Sequence, residues 1–293
     1  MKSRIWIPAL LILAAIAIVG CEEKTKYITT AEVPAVPVGV YSVTGDGYVD
    51  VIWQANNDRG NTDGYGVYRY TGTVGGSDEY ALLGTVDASP LAETYSFRDS
   101  DVQNGETYYY AVNAFNDYGE SELSDPDAFD TPRPDGAFAV DLTDEDLNRI
   151  GWDFSAARTR VWSSVDADVF FEYDSQLDAF FLWSNRDDVY LQDYGYTDLL
   201  NDVNWGEPGG GWDNVGWMEL SFGHAYIVAI GDVDQDDISE NYGVIRVTGL
   251  DLGQQRVSFQ WAYQTSEFNP ELKQVPVSGK FPSAIKHLAR SGN

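Results

Sequence analysis

The chain has 293 residues, 18 Lys+Arg against 47 Asp+Glu for a formal charge of −29, one Cys, two His and 14% aromatics. A surface this negative repels nucleic acid backbones and anionic headgroups, which sets aside nucleic acid partners and electrostatic membrane adsorption. A lone thiol rules out an internal disulfide, and a count of two histidines, His224 and His287, weighs against His-based metal sites and Ser-His-Asp machinery. The core must come from aromatic and aliphatic side chains, and the length allows about two domains.

Lys2 and Arg4 open the chain, and an apolar run from Ile5 to Val19, containing Pro8, follows. At about 15 residues it falls short of the roughly 20 that a membrane-spanning helix needs, and it matches the core of a cleaved export signal. The run exits through Ile18-Val19-Gly20-Cys21, which resembles the lipobox of bacterial lipoproteins. The resemblance implies a signal peptide over 1–20, a diacylglyceryl thioether on Cys21 and acylation of the amine freed by cleavage. A thiol is nucleophilic enough near neutral pH for that step, and acyl chains at ~0.8 kcal/mol per buried methylene would hold the protein on a bilayer. In Gram-negative lipoproteins an Asp after the Cys retains the protein at the inner membrane. Glu22 stands here instead, so the resemblance implies an extracytoplasmic protein lipid-anchored to the outer membrane of the cell envelope. From Cys21 onward 16 basic residues face 47 acids, a net charge of −31 spread along the chain as on a solvated surface in a saline medium. Residues 21–32, polar and without an apolar period, read as a tether.

Strands begin at Val33. Prolines in "VPAVPVGV" suit an edge strand. Val49, Val51 and Trp53 alternate onto one face of "YVDVIWQ", Tyr65 and Val67 share a face in "DGYGVYRY", and Tyr108, Tyr110, Val112 and Ala114 share one in "YYYAVNAF". Turn clusters at 45–47, 56–64, 104–105 and 116–119 separate them, a spacing that predicts a β-sandwich. Together with "NGETYYYAVNAFNDYGES" and the trailing "SDP", these segments resemble a fibronectin type III module over 33–131. The resemblance implies that Trp53 is the core tryptophan, that Tyr108 is the tyrosine corner and that the module is a spacer. "TGTVGGSDEY", 71–80, departs from the pattern by lengthening a loop.

"DTPRPDG", 130–136, reads as a short, stiff hinge. Beyond it, 136–279 reads as a second β-rich domain and 280–293 as a tail, so the fold class is mainly β throughout. Seven of the nine tryptophans fall after the hinge. "ADVFFEYD" and "AFFLWS" read as paired buried strands across "DSQLD", and "VSFQWAYQ" alternates with Val257, Phe259, Trp261 and Tyr263 on one face. Thr143 and Thr197 are candidate caps of short helices. The run "HAYIVAIGDVDQDDISENYGVIRVTGL…VSFQWAYQ" resembles the C-terminal hairpin of HmuY-type haem-binding lipoproteins. That likeness implies a β-rich ligand-binding domain. His224, the only histidine of the strand-bearing part of this domain, leaves bis-His haem ligation unavailable.

Two segments carry candidate chemistry. "DVDQDD" sets Asp232, Asp234 and Asp236 at alternate positions with Glu240 behind them, oxygens that suit calcium. The sixth and twelfth positions of an EF-hand loop would be Asp237 and Gly243 here, so the loop is not of that type. A solvated acidic turn is the competing reading. "NWGEPGGGWDNVGW" places Trp205, Trp212 and Trp217 among glycines, a candidate platform for stacking sugar rings, against which stands a set of core tryptophans. Zinc-protease, serine-hydrolase and dinucleotide motifs are absent, and among 47 acids a carboxylate pair carries no information. The sequence supports a non-catalytic lipoprotein whose fibronectin type III spacer carries a ligand-binding β-domain, with a glycan as one partner. The alternative is a structural or assembly lipoprotein docking on an envelope protein complex.

Overall fold

The computed structural model describes residues 32–56, 59–70, 80–124, 128–143, 149–184, 186–203, 206, 212, 216–233 and 238–272. The described residues from Val33 onward belong to one compact unit. The regular structure is almost all antiparallel strand, and helical turns among the described residues are short 3-10 turns such as Arg59–Asn61 and Leu200–Asp202.

The first sandwich uses β1 (Val38–Gly45), β2 (Tyr48–Gln54), β3 (Gly64–Tyr70), β4 (Tyr80–Asp87), β5 (Thr94–Asp99), β6 (Tyr108–Asn116), β7 (Gly119–Glu120) and β8 (Ala128–Asp130). One sheet runs β1-β2-β5, and the other runs β4-β3-β6-β7 with β8 also on β6. The alternation expected from the sequence is what fills the space between them: Val49, Val51 and Trp53 from one sheet meet Tyr65, Val67, Tyr110, Val112 and Ala114 from the other. Trp53 packs edge-on to Tyr65 at 5.6 Å and parallel to Tyr95 at 5.9 Å between centroids, contacts that add about 0.5–1.5 kcal/mol each beyond area burial. The Tyr108 hydroxyl accepts the Gln103 N–H at 3.0 Å, the tyrosine-corner bond. Most of the 71–80 loop lies outside the described residues.

The second sandwich uses β9 (Asp135–Asp141), β10 (Gly151–Asp153), β11 (Arg158–Arg160), β12 (Val169–Asp174), β13 (Ala179–Ser184), β14 (Val189–Tyr196), β15 (Trp217–Glu219), β16 (His224–Val233), β17 (Ser239–Asp251) and β18 (Arg256–Gln264). Its sheets are β11-β10-β12-β13-β15 and β14-β16-β17-β18-β9. Trp152 sits between them, in ring contact with Phe138, Phe154, Phe259 and Trp261. Here too a tyrosine ties down a turn: Tyr226 Oη accepts the Ser221 N–H at 2.8 Å and donates to the Glu219 carbonyl at 3.0 Å. The β14–β9 sheet is covered on its second face as well, where Ala225, Ile227, Tyr242 and Val244 meet Leu200, Val203, Ile238 and Leu272. That cover explains why Ala262 and Gln264, on the polar side of the β18 alternation, are buried.

One local expectation changes and a second is extended. Thr197 does not cap a helix: its backbone carbonyl and hydroxyl accept from Arg246, while the Leu199 N–H donates to Asp202 Oδ2 at the start of a 3-10 turn. The residues after Thr143, 144–148, lie outside the described set. The segment 130–136, expected as a short, stiff hinge, is in addition buried over much of its length. Thr131 and Arg133 are fully buried, Gly105 N–H bonds Pro132 O and Arg133 N–H bonds Gly45 O. Arg133 Nε donates to Leu272 O and its Nη2 reaches Asn201 Oδ1, while Glu271 accepts from the Thr131 hydroxyl. Burial pushes the Glu271 and Asp130 carboxyls above the usual range and lowers Arg133 to about 10. The join between the sandwiches is a buried polar lock.

Candidate functional site

The β11-β10-β12-β13-β15 sheet keeps one face on the core; on the other, exposure is uneven, with Phe181 buried, Phe170 and Trp183 half-buried, and Glu172, Trp217 and Glu219 exposed. Side chains alternate across a strand, so Val169 and Phe171 of β12 and Phe180 and Leu182 of β13 point inward. Phe170, Glu172, Phe181 and Trp183 therefore point outward. Antiparallel pairing then lines them up across strands: Phe170 faces Trp183, which faces Trp217, and two residues along each strand Glu172 faces Phe181, which faces Glu219. Trp162, just after β11, closes the first row against Phe170. It fits because Gly151, opposite Phe170 on β10, has no side chain. A Cβ there would lie 3.0 Å from Ala167 Cβ and 3.3 Å from Trp162 Cα.

The ring centroids follow at 5.6 Å (Trp162–Phe170), 6.0 Å (Phe170–Trp183, planes within 8°) and 5.9 Å (Trp183–Trp217). Phe181 packs edge-on under Trp217 at 5.5 Å. The inner rings are half-buried, whereas Trp162 is 43% and Trp217 40% exposed, and Val161 and Val165 extend the apolar surface beside Trp162. Exposed aromatic side chains brought side by side mark an interaction site more often than scattered ones.

Of the three tryptophans read from 204–217, Trp217 belongs to this row. Trp212 does not: it packs on Tyr242 at 6.4 Å, on the outer side of the opposite sheet, with the sandwich core between the two. Trp205 lies outside the described residues, so the three-tryptophan platform is replaced by a cross-strand row. Trp162, Phe170 and Trp183 were not singled out from sequence. The signal that marks them is the doubled aromatic in "VFFEYD" and "AFFLWS", where one ring of each pair must face away from the core.

The acidic hairpin between β16 and β17 is described only at its ends. Asp234 and Asp236 lie outside the described residues, Asp232 is exposed, and among the described residues no group of three or more Asp, Glu, His or Cys is placed to hold a metal ion. Glu240 folds onto its own hairpin, its carboxylate over Gly231, whose positive φ of 87° makes room for it. Calcium at this loop gains no support from Asp232 and Glu240.

A third group lies at the edge of the second sandwich. Arg186 holds Asp188 through two bonds, at 2.8 and 2.6 Å, and reaches Asp168 at 3.3 Å, and Arg160 holds Asp153 at 2.8 Å. Asp168 also accepts the Phe154 N–H at 2.9 Å. Burial outweighs these contacts and pushes Asp168 up to about 6, while hydrogen bonds from Ala156, Arg160 and Ser155 pull Asp153 below the usual carboxylate range against its own burial. Each carboxylate is committed to an arginine or a backbone N–H, which is the chemistry of a turn staple. Elsewhere, the loops bearing Tyr196, Leu199 and Phe222 meet through the Thr197 N–H to Gly223 O bond. These three side chains are 64–65% exposed and form an apolar tip.

No protein-family model matches the chain, and no curated protein matches it in sequence. Among solved structures it is similar to FN3tt, at 20% identity over 34% of this chain and 96% of that one, TM-score 0.27. It is similar to a Fn3-like protein from Clostridium thermocellum at 26% identity over 34% of this chain and 96% of the other, TM-score 0.26. The chicken CNTN1 FN1-FN3 domains align at 14% identity over 72% of this chain and 60% of theirs, TM-score 0.32. The sandwich architecture itself stands on the strand pairing described above.

Proposed function

We propose that the protein is a non-catalytic, lipid-anchored envelope protein in which the first sandwich is a spacer and the outer face of β11-β10-β12-β13-β15 takes a ligand. The observation that carries the binding role is the solvent-facing row Trp162–Phe170–Trp183–Trp217. A spacer holds its cargo at a set distance only if the joint is firm, and the buried contacts of Arg133 and Glu271 supply that firmness. The anchor follows from the resemblance at Cys21. Radiolabelled palmitate is expected to label the parent and not Cys21→Ser. For the face, tryptophan emission of the purified full chain is followed while envelope extract, split into polysaccharide and protein fractions, is added. A response lost in Trp162→Ala and Trp217→Ala supports the reading, and a response unchanged in both refutes it.

The apolar tip at Tyr196, Leu199 and Phe222 favours a second reading, a structural protein that docks on an envelope complex. Loss of a co-purifying envelope protein in Tyr196→Ser with Phe222→Ser, but not in the two tryptophan variants, would select it.

A further inference from the structure

The outer face has a second row whose chemistry narrows the ligand. Beside the aromatic row stand Glu172 and Glu219, both exposed, one on either side of Phe181. Neither carboxylate is held in an ion pair among the described residues. No hydrogen-bond donor holds either carboxylate among the described residues, and the two stand along one flank of the aromatic row, whose neighbouring ring planes differ by 52°, 8° and 36°. The row is a strip one ring wide. It crosses the neighbouring strands β10, β12, β13 and β15 at ~4.8 Å spacing, a length of about 14 Å.

Each property excludes a class. A protein partner of ordinary stability covers about 800 Å² of each surface, and a strip one side chain wide, edged by carboxylates, does not offer that. Anionic lipid headgroups and acidic polymers meet Glu172, Glu219 and a chain of net charge −29. A neutral polyhydroxylated chain meets no such penalty. The C–H faces of its pyranose rings carry slight positive charge and suit the negative face of an aromatic ring, and its hydroxyls are the donors that two unpaired carboxylates lack.

Resting on the binding reading above, we infer that the face takes a neutral polysaccharide. Sugar rings lie on Trp162 and Trp217, and hydroxyl groups donate to Glu172 and Glu219. Phe170 and Trp183, half-buried between the end rings, pack against them and fix their positions. The strip spans roughly the length of three linked hexoses, so a chain rather than a monosaccharide is the fitting ligand.

The test uses the full chain and a panel of soluble neutral polysaccharides (β-glucan, xylan, galactomannan) beside two anionic ones, polygalacturonate and alginate. Binding is read by isothermal titration and by tryptophan emission. The expected result is binding to at least one neutral class and to neither anionic one, with affinity falling roughly tenfold in Trp162→Ala and in Trp217→Ala, the loss of about one stacked ring. Glu172→Gln with Glu219→Gln keeps the rings but weakens the acceptors, so affinity falls again and discrimination against the anionic polymers narrows. Thermal midpoints of all variants are measured first, and variants that melt with the parent are the ones compared. Anionic binding equal to neutral binding overturns the inference, as does neutral binding indifferent to both tryptophan changes. Silence toward every neutral polysaccharide, while an extract fraction still responds through Trp162 and Trp217, overturns the sugar assignment alone. Silence toward both overturns the face as a binding site.

Discussion

Replacing Arg133 by Met removes the guanidinium that faces Asp130, Asp135 and Glu271 in the buried joint while filling much of the same volume. At pH 7.5 the change removes the positive charge that offsets the nearby buried carboxyls, and because Arg133 bonds Leu272 O and Asn201 Oδ1 rather than a carboxylate, the loss is expected at the low end for a buried pair, about 3 kcal/mol. The sign of the pH dependence follows from the carboxyls. Burial raises Asp130 and Glu271 above their unfolded values, so each holds in the folded state a proton that the unfolded chain releases. Folding is thus favoured by acid through this pair, and the advantage fades as pH climbs through the raised values. At pH 5, below the value of about 6 to which burial raises Asp130, less carboxylate charge is stranded in the folded protein, and the loss falls toward that of the Arg133 bonds to Leu272 O and Asn201 Oδ1, about 1–2 kcal/mol in all. Urea unfolding at both pH values reads this difference directly. A penalty of the same size at pH 5 and pH 7.5 would refute the reasoning, and so would one under about 1 kcal/mol at pH 7.5. Combining Arg133→Met with Asp130→Asn, Asp135→Asn and Glu271→Gln removes all four charges of the joint and is expected to return stability to within about 1–2 kcal/mol of the parent.

Other outcomes follow from single contacts. Asp168, raised from 3.8 to about 6, takes up a proton on folding in that window, so its burial costs the parent about 3 kcal/mol as pH rises from 4 to 7; Asp168→Asn should flatten that part of the urea-midpoint profile. Tyr226→Phe strands the Ser221 N–H and the Glu219 carbonyl and should cost about 1–3 kcal/mol in the same assay. Gly223→Ala forces a side chain onto a φ of +79° and sets its Cβ 2.5 Å from the Tyr196 ring. A loss of about 1–2 kcal/mol is expected, with a shift of the Tyr196 resonances in the NMR spectrum.

Much of the fold was legible because one-sided alternation writes burial into the sequence. Val49, Val51 and Trp53, and Val257, Phe259 and Trp261, are all buried in the structure as their spacing predicts. The doubled aromatics of β12 and β13 were harder. A run such as "VFFEYD" reads as buried on both faces, yet Phe170 is turned outward and meets Trp183 and Trp217 only through cross-strand register. Register is set by distant pairing, so three residues separated by up to 47 positions carry no local sign that they share a row. The joint was missed for a similar reason: "DTPRPDG" has the composition of a linker, and what buries Arg133 is Leu272 and Asn201, far along the chain. Trp212 and Trp217 show the opposite error, since neighbours in sequence ended on opposite sides of the sandwich.

Hydroxyl-radical footprinting of the full chain, with and without the polysaccharide or envelope fraction that binds, addresses the binding face most directly. Trp162 and Trp217 should oxidise readily alone and become protected together when ligand is present, with Tyr196 and Phe222 unchanged. Protection confined to Tyr196 and Phe222, with both tryptophans oxidised at the same rate in each state, would contradict the account.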